Sequence, residues 1–246
     1  MAKKTTWILD TGMLFKVACD SANSIQAPPR QGDQASALVS IVFSVLTLEA
    51  FMNEMSEMML FPLPDKPQVI SVLADFLQDA ERSHASLESK FTLAKWILSK
   101  KKFDRGAEPY QDFSLLVSLR NDLVHFRVND AFEEDYPPSF INEAVPLGKT
   151  HQNLMDRFRT KNILAENVSG KTLSWTALVK TKAVAEWSCR TAAFMIRDFC
   201  AAIPHRYKSW FIKPFEKSFD PQKLFAPARN GSVVMSPKRK HLTQRG

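Results

Sequence analysis

The strongest constraint on the fold is a long stretch of apolar residues at helical spacing between Gln34 and Pro62. These side chains recur at three- and four-residue steps, which places them on one broad face of a single helix: Leu38, Ile41, Val42, Val45, Leu48, Met52, Met55 and Met59. Glu49, Glu54 and Glu57 interrupt the stretch, so its uncharged run is too short to span a bilayer comfortably. The pattern therefore predicts a buried core helix.

Helical periodicity continues along the chain to residue 203. One helix is predicted after Asp65-Lys66-Pro67, where a capping aspartate and a proline favour a helix start, and another runs up to Lys100-Lys101-Lys102. A further helix begins after Glu108-Pro109, and two more are predicted over about 152–165 and about 173–203. The expected fold class is therefore mainly α.

Three segments outside these helices have a different pattern. Thr5 to Ala18 alternates apolar runs around Asp10-Thr11-Gly12, a turn signal that predicts a small N-terminal β-hairpin. Prolines and polar residues make Ser21 to Asp33 a linker and residues 129–148 an irregular connection.

The net charge of +7 belongs to the end of the chain. Residues 204–246 contain ten Lys and Arg against two acids, so they carry +8 and the rest of the chain carries −1. The same segment contains six aromatic residues: Tyr207, Trp210, Phe211, Phe215, Phe219 and Phe225. Because aromatic rings stack on unpaired bases while cations neutralise phosphates, this composition is typical of single-strand binding. The alternative is that the rings dock on the helical core while the charges stay in solvent.

Candidate RNA-binding residues follow from this charge pattern. In the C-terminal segment they are Arg206, Lys208 and Trp210. The run Lys100-Lys101-Lys102 is interpreted first as a solvated helix end, which suits the negative end of a helix dipole, and second as a phosphate contact.

The expected domain organisation has three parts: 1–33 as an N-terminal hairpin and linker, 34–203 as a helical domain, and 204–246 as an irregular, basic, aromatic-rich segment. The apolar stretch Trp7-Ile8-Leu9 is cut at once by Asp10, so no signal peptide is predicted. Three irregularly spaced cysteines fit a reducing compartment. We therefore expect a cytoplasmic protein that is not inserted in a membrane.

Metal and cofactor sites are not predicted. The five histidines are widely separated and show no spacing typical of metal ligands: His84, His125, His151, His205 and His241. Seven glycines are present, none grouped as a nucleotide-binding loop requires. We therefore expect chemistry that uses side chains alone.

The residues with the clearest chemical potential are Arg120, Asn121 and His125, which form the pattern R-N-x-x-x-H in an apolar helical frame. RNA cleavage without a metal needs proton transfer and a fixed positive charge on the phosphorane. Histidine exchanges protons near neutral pH, and arginine can bind two phosphate oxygens at once. The motif therefore combines the residue types that this reaction requires.

Helix geometry separates these side chains. On a regular helix Asn121 and His125 lie about 40° apart, whereas Arg120 and His125 lie about 140° apart. Three arrangements remain open: the long Arg120 side chain extends around the helix toward His125, the motif straddles a helix start, or two subunits complete the site. The interpretation without catalysis is a core histidine, with Arg120 in a salt bridge to Glu49 or Asp122.

The motif resembles the signature of the HEPN superfamily, and Leu48 to Asn53 is similar to the first helix of many HEPN proteins. This resemblance implies an antiparallel helical bundle and a homodimer that places both motifs in one cleft. It also implies a metal-independent endoribonuclease. In this enzyme His125 is the general acid and base, Arg120 holds the scissile phosphate, and Asn121 orients the side chain of either His125 or Arg120. Toxins and antiviral defence effectors are frequent in the superfamily, which implies an antitoxin as a partner besides RNA.

Two other interpretations stay open beside the resemblance. Glu49 and Asn53, one turn apart, are candidates for polar residues that support the site, or they form a solvent-facing stripe. The HEPN fold also includes members that act only as interaction modules. The alternative function is therefore a non-catalytic helical dimer that binds RNA or a protein.

Overall fold

Eight α-helices make up the fold in the part of the chain that the computed structural model describes, which is residues 10–26, 32–62, 65–125, 149–164, 175–205, 207–208, 219 and 224–225. No β-strand occurs in these ranges. The helices are α1 (Asp10–Ser24), α2 (Asp33–Leu60), α3 (Gln68–Arg82), α4 (Leu87–Ser99), α5 (Tyr110–Val124), α6 (Lys149–Thr160), α7 (Trp175–Val179) and α8 (Lys182–Ala202). The mainly α class predicted from the sequence is confirmed.

Helix α2 is the centre of the bundle and contacts α1, α3, α4, α5 and α8. By length and composition it could cross a membrane, but half of its most apolar stretch is buried against these helices. The Ser44 hydroxyl donates to the Ser40 carbonyl at 2.8 Å, and Thr47 donates to Phe43 at 2.7 Å. These bonds satisfy buried hydroxyls within the helix itself, so α2 is a core helix as predicted.

Four phenylalanines from four helices form the middle of the core. The ring of Phe51 on α2 meets Phe199 on α8 edge-on at 5.1 Å between centroids. Phe91 on α4 lies 5.1 Å from Phe113 on α5 and 6.2 Å from Phe199. All four rings are at most 1 % exposed. This aromatic cluster therefore fixes α4, α5 and α8 on α2.

The N-terminal β-hairpin prediction is wrong, because residues 10–24 form helix α1. Phe15, Ala18 and Ala22 are buried at helical spacing in the shared core. Residues 5–9 lie outside the described part of the chain. At the start of α1, the carboxylate of Glu54 accepts hydrogen bonds from the Asp10 and Thr11 amides at 2.5 and 2.9 Å. Within the described residues, the cap of this helix thus comes from α2.

Replacing Glu54 with alanine is expected to lower the free energy of unfolding by about 1–3 kcal/mol. The carboxylate also accepts from the Thr11 hydroxyl at 2.6 Å, and Thr11 is fully buried. Its removal therefore leaves a buried hydroxyl and two amides without an acceptor. Urea unfolding followed by circular dichroism measures the change. The control is Glu57→Ala, at an exposed position of α2; equal losses in both variants would refute the capping role.

The remaining helices begin close to their predicted positions, with two corrections. The N-cap of α3 is Pro67, which has no side-chain acceptor, and not the predicted Asp65. The single helix predicted over 173–203 is two helices, α7 and α8. The break occurs because the Thr181 side chain caps α8 by accepting from the Val184 amide at 3.4 Å. The connection predicted over 129–148 lies outside the described residues.

Helix α6 is tied to the start of α5 through Lys161. Its ammonium lies 2.6 Å from Asp112 Oδ1 and 3.0 Å from Glu108 Oε1. Partial burial lowers the pKa of Lys161, but hydrogen bonds to the two carboxylates raise it by more. The pKa of Lys161 therefore lies above its ordinary value. The lysine therefore stays charged at neutral pH and links the two elements.

Three aromatic residues of the C-terminal segment pack on the helical core. Tyr207 is 5 % exposed and its hydroxyl donates to the Asp65 carbonyl at 2.5 Å. The Phe219 ring lies 4.5 Å from that of Phe15, and Arg190 lies 5.7 Å from the centroid of Phe225. For these three rings the structure favours docking over base stacking.

Candidate functional site at the end of helix α5

The last turn of α5 carries the R-N-x-x-x-H motif. Arg120 and Asn121 are helical, and His125 is the residue that ends the helix. The His125 amide donates to the Asn121 carbonyl at 2.9 Å, so the histidine follows Asn121 by one turn. The motif therefore straddles a helix end, and not the helix start that was one of the geometric solutions.

Asn121 and His125 are both exposed, and Val124 between them is 52 % exposed. The turn stands out from the core because the buried side of α5 is formed by apolar residues earlier in the helix: Phe113, Leu115, Leu116, Val117 and Leu119. The interpretation of His125 as a core histidine is wrong. Its imidazole is accessible to a ligand.

Arg120 forms an ion pair with Glu49 of α2 through Nη2 and Oε1. This is one of the two salt bridges that the sequence suggested, and it is confirmed. The arginine side chain is only 20 % exposed, and among the described residues its Nε has no hydrogen-bond acceptor. That Nε is itself buried and does not face solvent. The ion pair therefore fixes Arg120 against α2.

Glu49 and Asn53, the two polar residues of α2 considered for this site, differ in their burial and contacts. Glu49 is partly buried and contacts the motif, whereas Asn53, one turn further on, is exposed. The two helices thus bring together Glu49 and Arg120, with Asn121 and His125 on the neighbouring exposed turn.

The candidate RNA-binding residues lie elsewhere on the surface. Lys100, Lys101 and Lys102 are exposed directly after α4, and Lys100 ends that helix as predicted. Lys208 is half-buried in the short helical turn that follows α8. Arg206 and Trp210 lie outside the described residues.

Sequence reasoning missed Trp96, which is 45 % exposed on α4. The sequence contained a signal for this exposure, because the four apolar residues that are buried in α4 recur at helical spacing on another face: Leu87, Phe91, Ala94 and Ile97. Leu93, Trp96 and Lys100 fall on the opposite face, where polar residues are usual.

Cys189 is held at the junction of α1, α2 and α8. The Ser40 and Ser44 hydroxyls lie 3.3 and 3.6 Å from its sulfur. Hydrogen bonding to Cys189, together with burial, raises the pKa of Cys19 far above its ordinary value. Cys19 is therefore a protonated thiol at neutral pH. Within the described ranges no three His, Cys, Asp or Glu side chains group as metal ligands.

No protein-family model, no curated protein and no solved structure matches this chain. The likeness to the HEPN superfamily therefore depends on the motif at the end of α5 and on the apolar helix α2.

Proposed function

We propose that the protein is a metal-independent endoribonuclease of the HEPN type that acts as a homodimer. The observation that carries this proposal is the exposed His125 and Asn121 turn beside Arg120, which Glu49 fixes in place. A proton-transfer group and a preorganised cation on one helix end suit phosphate chemistry.

The reaction assigns a role to each motif residue. An imidazole takes the proton of the RNA 2′-hydroxyl, the 2′-oxygen bonds to phosphorus, and the bond to the 5′-oxygen breaks as that oxygen receives a proton. The products are a 2′,3′-cyclic phosphate and a 5′-hydroxyl. His125 transfers the protons, the Arg120 guanidinium binds the phosphorane oxygens, and Asn121 orients one of these two side chains.

A homodimer supplies what one motif lacks. The reaction needs a base and an acid at the same moment, and each motif contributes a single imidazole. Two copies related by a two-fold axis would bring a second His125 to the same phosphate. The exposed Val124 beside the motif offers apolar surface for such a contact. We further propose a cytoplasmic toxin or antiviral defence effector, with an antitoxin protein as partner.

The alternative is a non-catalytic helical dimer that binds RNA or a protein. One observation favours it: Glu49 neutralises the charge of Arg120, which weakens the electrostatic stabilisation that a phosphorane needs. In this case the motif acts as a surface for recognition.

Cleavage of RNA in excess chelator tests the proposal. The purified protein is expected to cut single-stranded RNA, to leave 2′,3′-cyclic phosphate ends, and to elute from size exclusion as a dimer. Cleavage that stops on metal removal would refute the metal-independent mechanism. Intact RNA that the protein retains with a steep salt dependence would establish the binding alternative.

A further inference from the structure

The outer face of α4 carries an apolar and cationic stripe. Leu93 is 43 % exposed and Trp96 is 45 % exposed, and Lys100 follows one turn after Trp96. At 100° per residue these three positions fall within an arc of about 60°. The indole and the leucine therefore present neighbouring apolar surface on one helix face.

Three consecutive lysines, Lys100 to Lys102, follow the end of this stripe. Lys100 has a left-handed backbone with φ of 58°, a conformation that glycine usually adopts at this position. Its amide donates to the Trp96 carbonyl at 2.8 Å, and its ammonium lies 5.2 Å from the centroid of the Trp96 ring. The backbone turn therefore brings a cation to an exposed indole.

The lysine run is anchored on both sides. Before it, Lys95 bonds both carboxylate oxygens of Asp198 at 2.5 and 2.6 Å, which holds α4 on α8. After it, the ring of Phe103 lies 4.5 Å from the Lys95 ammonium and 5.2 Å from the ring of Tyr110. The exposed Lys101 and Lys102 thus project from a fixed loop.

We propose that Trp96 and Lys100 to Lys102 form a binding site for single-stranded nucleic acid, in which a base displaces the Lys100 ammonium from the indole and stacks on it, while the lysines bind the flanking phosphates. Charge complementarity selects this ligand, because an unpaired strand combines π faces with regularly spaced anions. The inference rests on the proposed function, since it states where a ribonuclease of this kind would hold unpaired RNA.

An anionic membrane surface fits this site less well. The other sides of α4 are packed in the bundle through Leu87, Phe91, Ala94 and Ile97. Only Leu93 and Trp96 could enter the lipid, which is far less apolar surface than a helix lying in a membrane interface buries.

Binding of a labelled single-stranded RNA to the full chain carrying His125→Ala, in excess chelator, tests the site without cleavage. Trp96→Ala is expected to weaken binding about five- to tenfold with an unchanged salt slope, because stacking is lost and no charge is removed. The pair Lys101→Ala and Lys102→Ala is expected to reduce the salt slope by about 1.4, at about 0.7 for each phosphate contact on a single strand.

The matched control removes two exposed lysines elsewhere, Lys16 on α1 and Lys182 on α8, and is expected to leave the slope nearly unchanged. Three results would each overturn the proposed site. They are a loss of salt slope in the control equal to that in the Lys101 and Lys102 variant, equal RNA affinity of Trp96→Ala and its parent, and binding to vesicles of anionic lipid but not to RNA.

The same assay separates this inference from the proposed function. RNA that the unmutated chain holds through Trp96 but leaves uncut would refute the nuclease and keep the binding site. RNA that is cut at the same KM with and without Trp96 would refute the binding site and keep the nuclease.

Discussion

Replacing His125 with alanine is expected to slow RNA cleavage in chelator by about 10²- to 10⁴-fold, the range that general acid and base catalysis supplies. The imidazole is exposed at the end of α5, so its removal is expected to change the free energy of unfolding by less than about 0.5 kcal/mol. Initial rates on a labelled RNA and urea unfolding curves measure the two quantities separately.

The matched control is His205→Ala, which removes an exposed histidine after α8 and is expected to keep the full rate. Cleavage that persists in His125→Ala would show that the nuclease activity uses other residues. A parallel loss in the control would point to a general effect of histidine removal.

Arg120 needs a different design, because it also pairs with Glu49. Arg120→Ala leaves a partly buried carboxylate without its partner, so activity and stability are both expected to fall. Arg120→Lys keeps the charge but loses the planar guanidinium that binds two oxygens. A rate loss in Arg120→Lys with unchanged unfolding would therefore assign the guanidinium to the phosphate.

Replacing Phe91 with alanine is expected to lower the free energy of unfolding by about 3–5 kcal/mol, the usual loss for a buried phenylalanine. The ring is fully buried and contacts Phe51, Phe113 and Phe199. Its loss leaves a cavity at the point where α2, α4, α5 and α8 meet. Urea unfolding followed by circular dichroism gives the change in the midpoint and slope.

Two comparisons control for the loss of a ring. Phe91→Leu keeps most of the volume and is expected to destabilise less than the alanine variant. Phe194→Ala removes a ring that is 45 % exposed on α8 and is expected to have a small effect. An equal loss in Phe91→Ala and Phe194→Ala would contradict the position of the aromatic cluster in the core.

The sequence predicted the helices whose signals are local. Helices α2 to α5 follow from apolar periodicity and, for α3 and α5, from the prolines at their starts. Helix α1 was missed because its start is completed by Glu54, 44 residues away from Asp10. No short-range pattern contains that partner. The Thr181 cap that separates α7 from α8 is local, but the longer apolar periodicity masked it.

Part of the candidate site was also predictable from the sequence. The Arg120 and Glu49 pair could be proposed because Glu49 interrupts an otherwise apolar helix. The exposure of His125 depends on where α5 ends, and periodicity does not fix that residue. The contact of Lys100 with Trp96 depends on a left-handed backbone at a lysine, which no residue preference indicates.

The central position of α2 has a consequence for synthesis on the ribosome. Its apolar surface is covered by α8, and Ala202 at the end of α8 is translated long after Leu60 at the end of α2. At about 5–20 residues per second this interval lasts roughly 7–30 s. A nascent chain thus carries its most apolar helix only partly covered during this period, and a chaperone that shields such surfaces would raise the yield of folded protein.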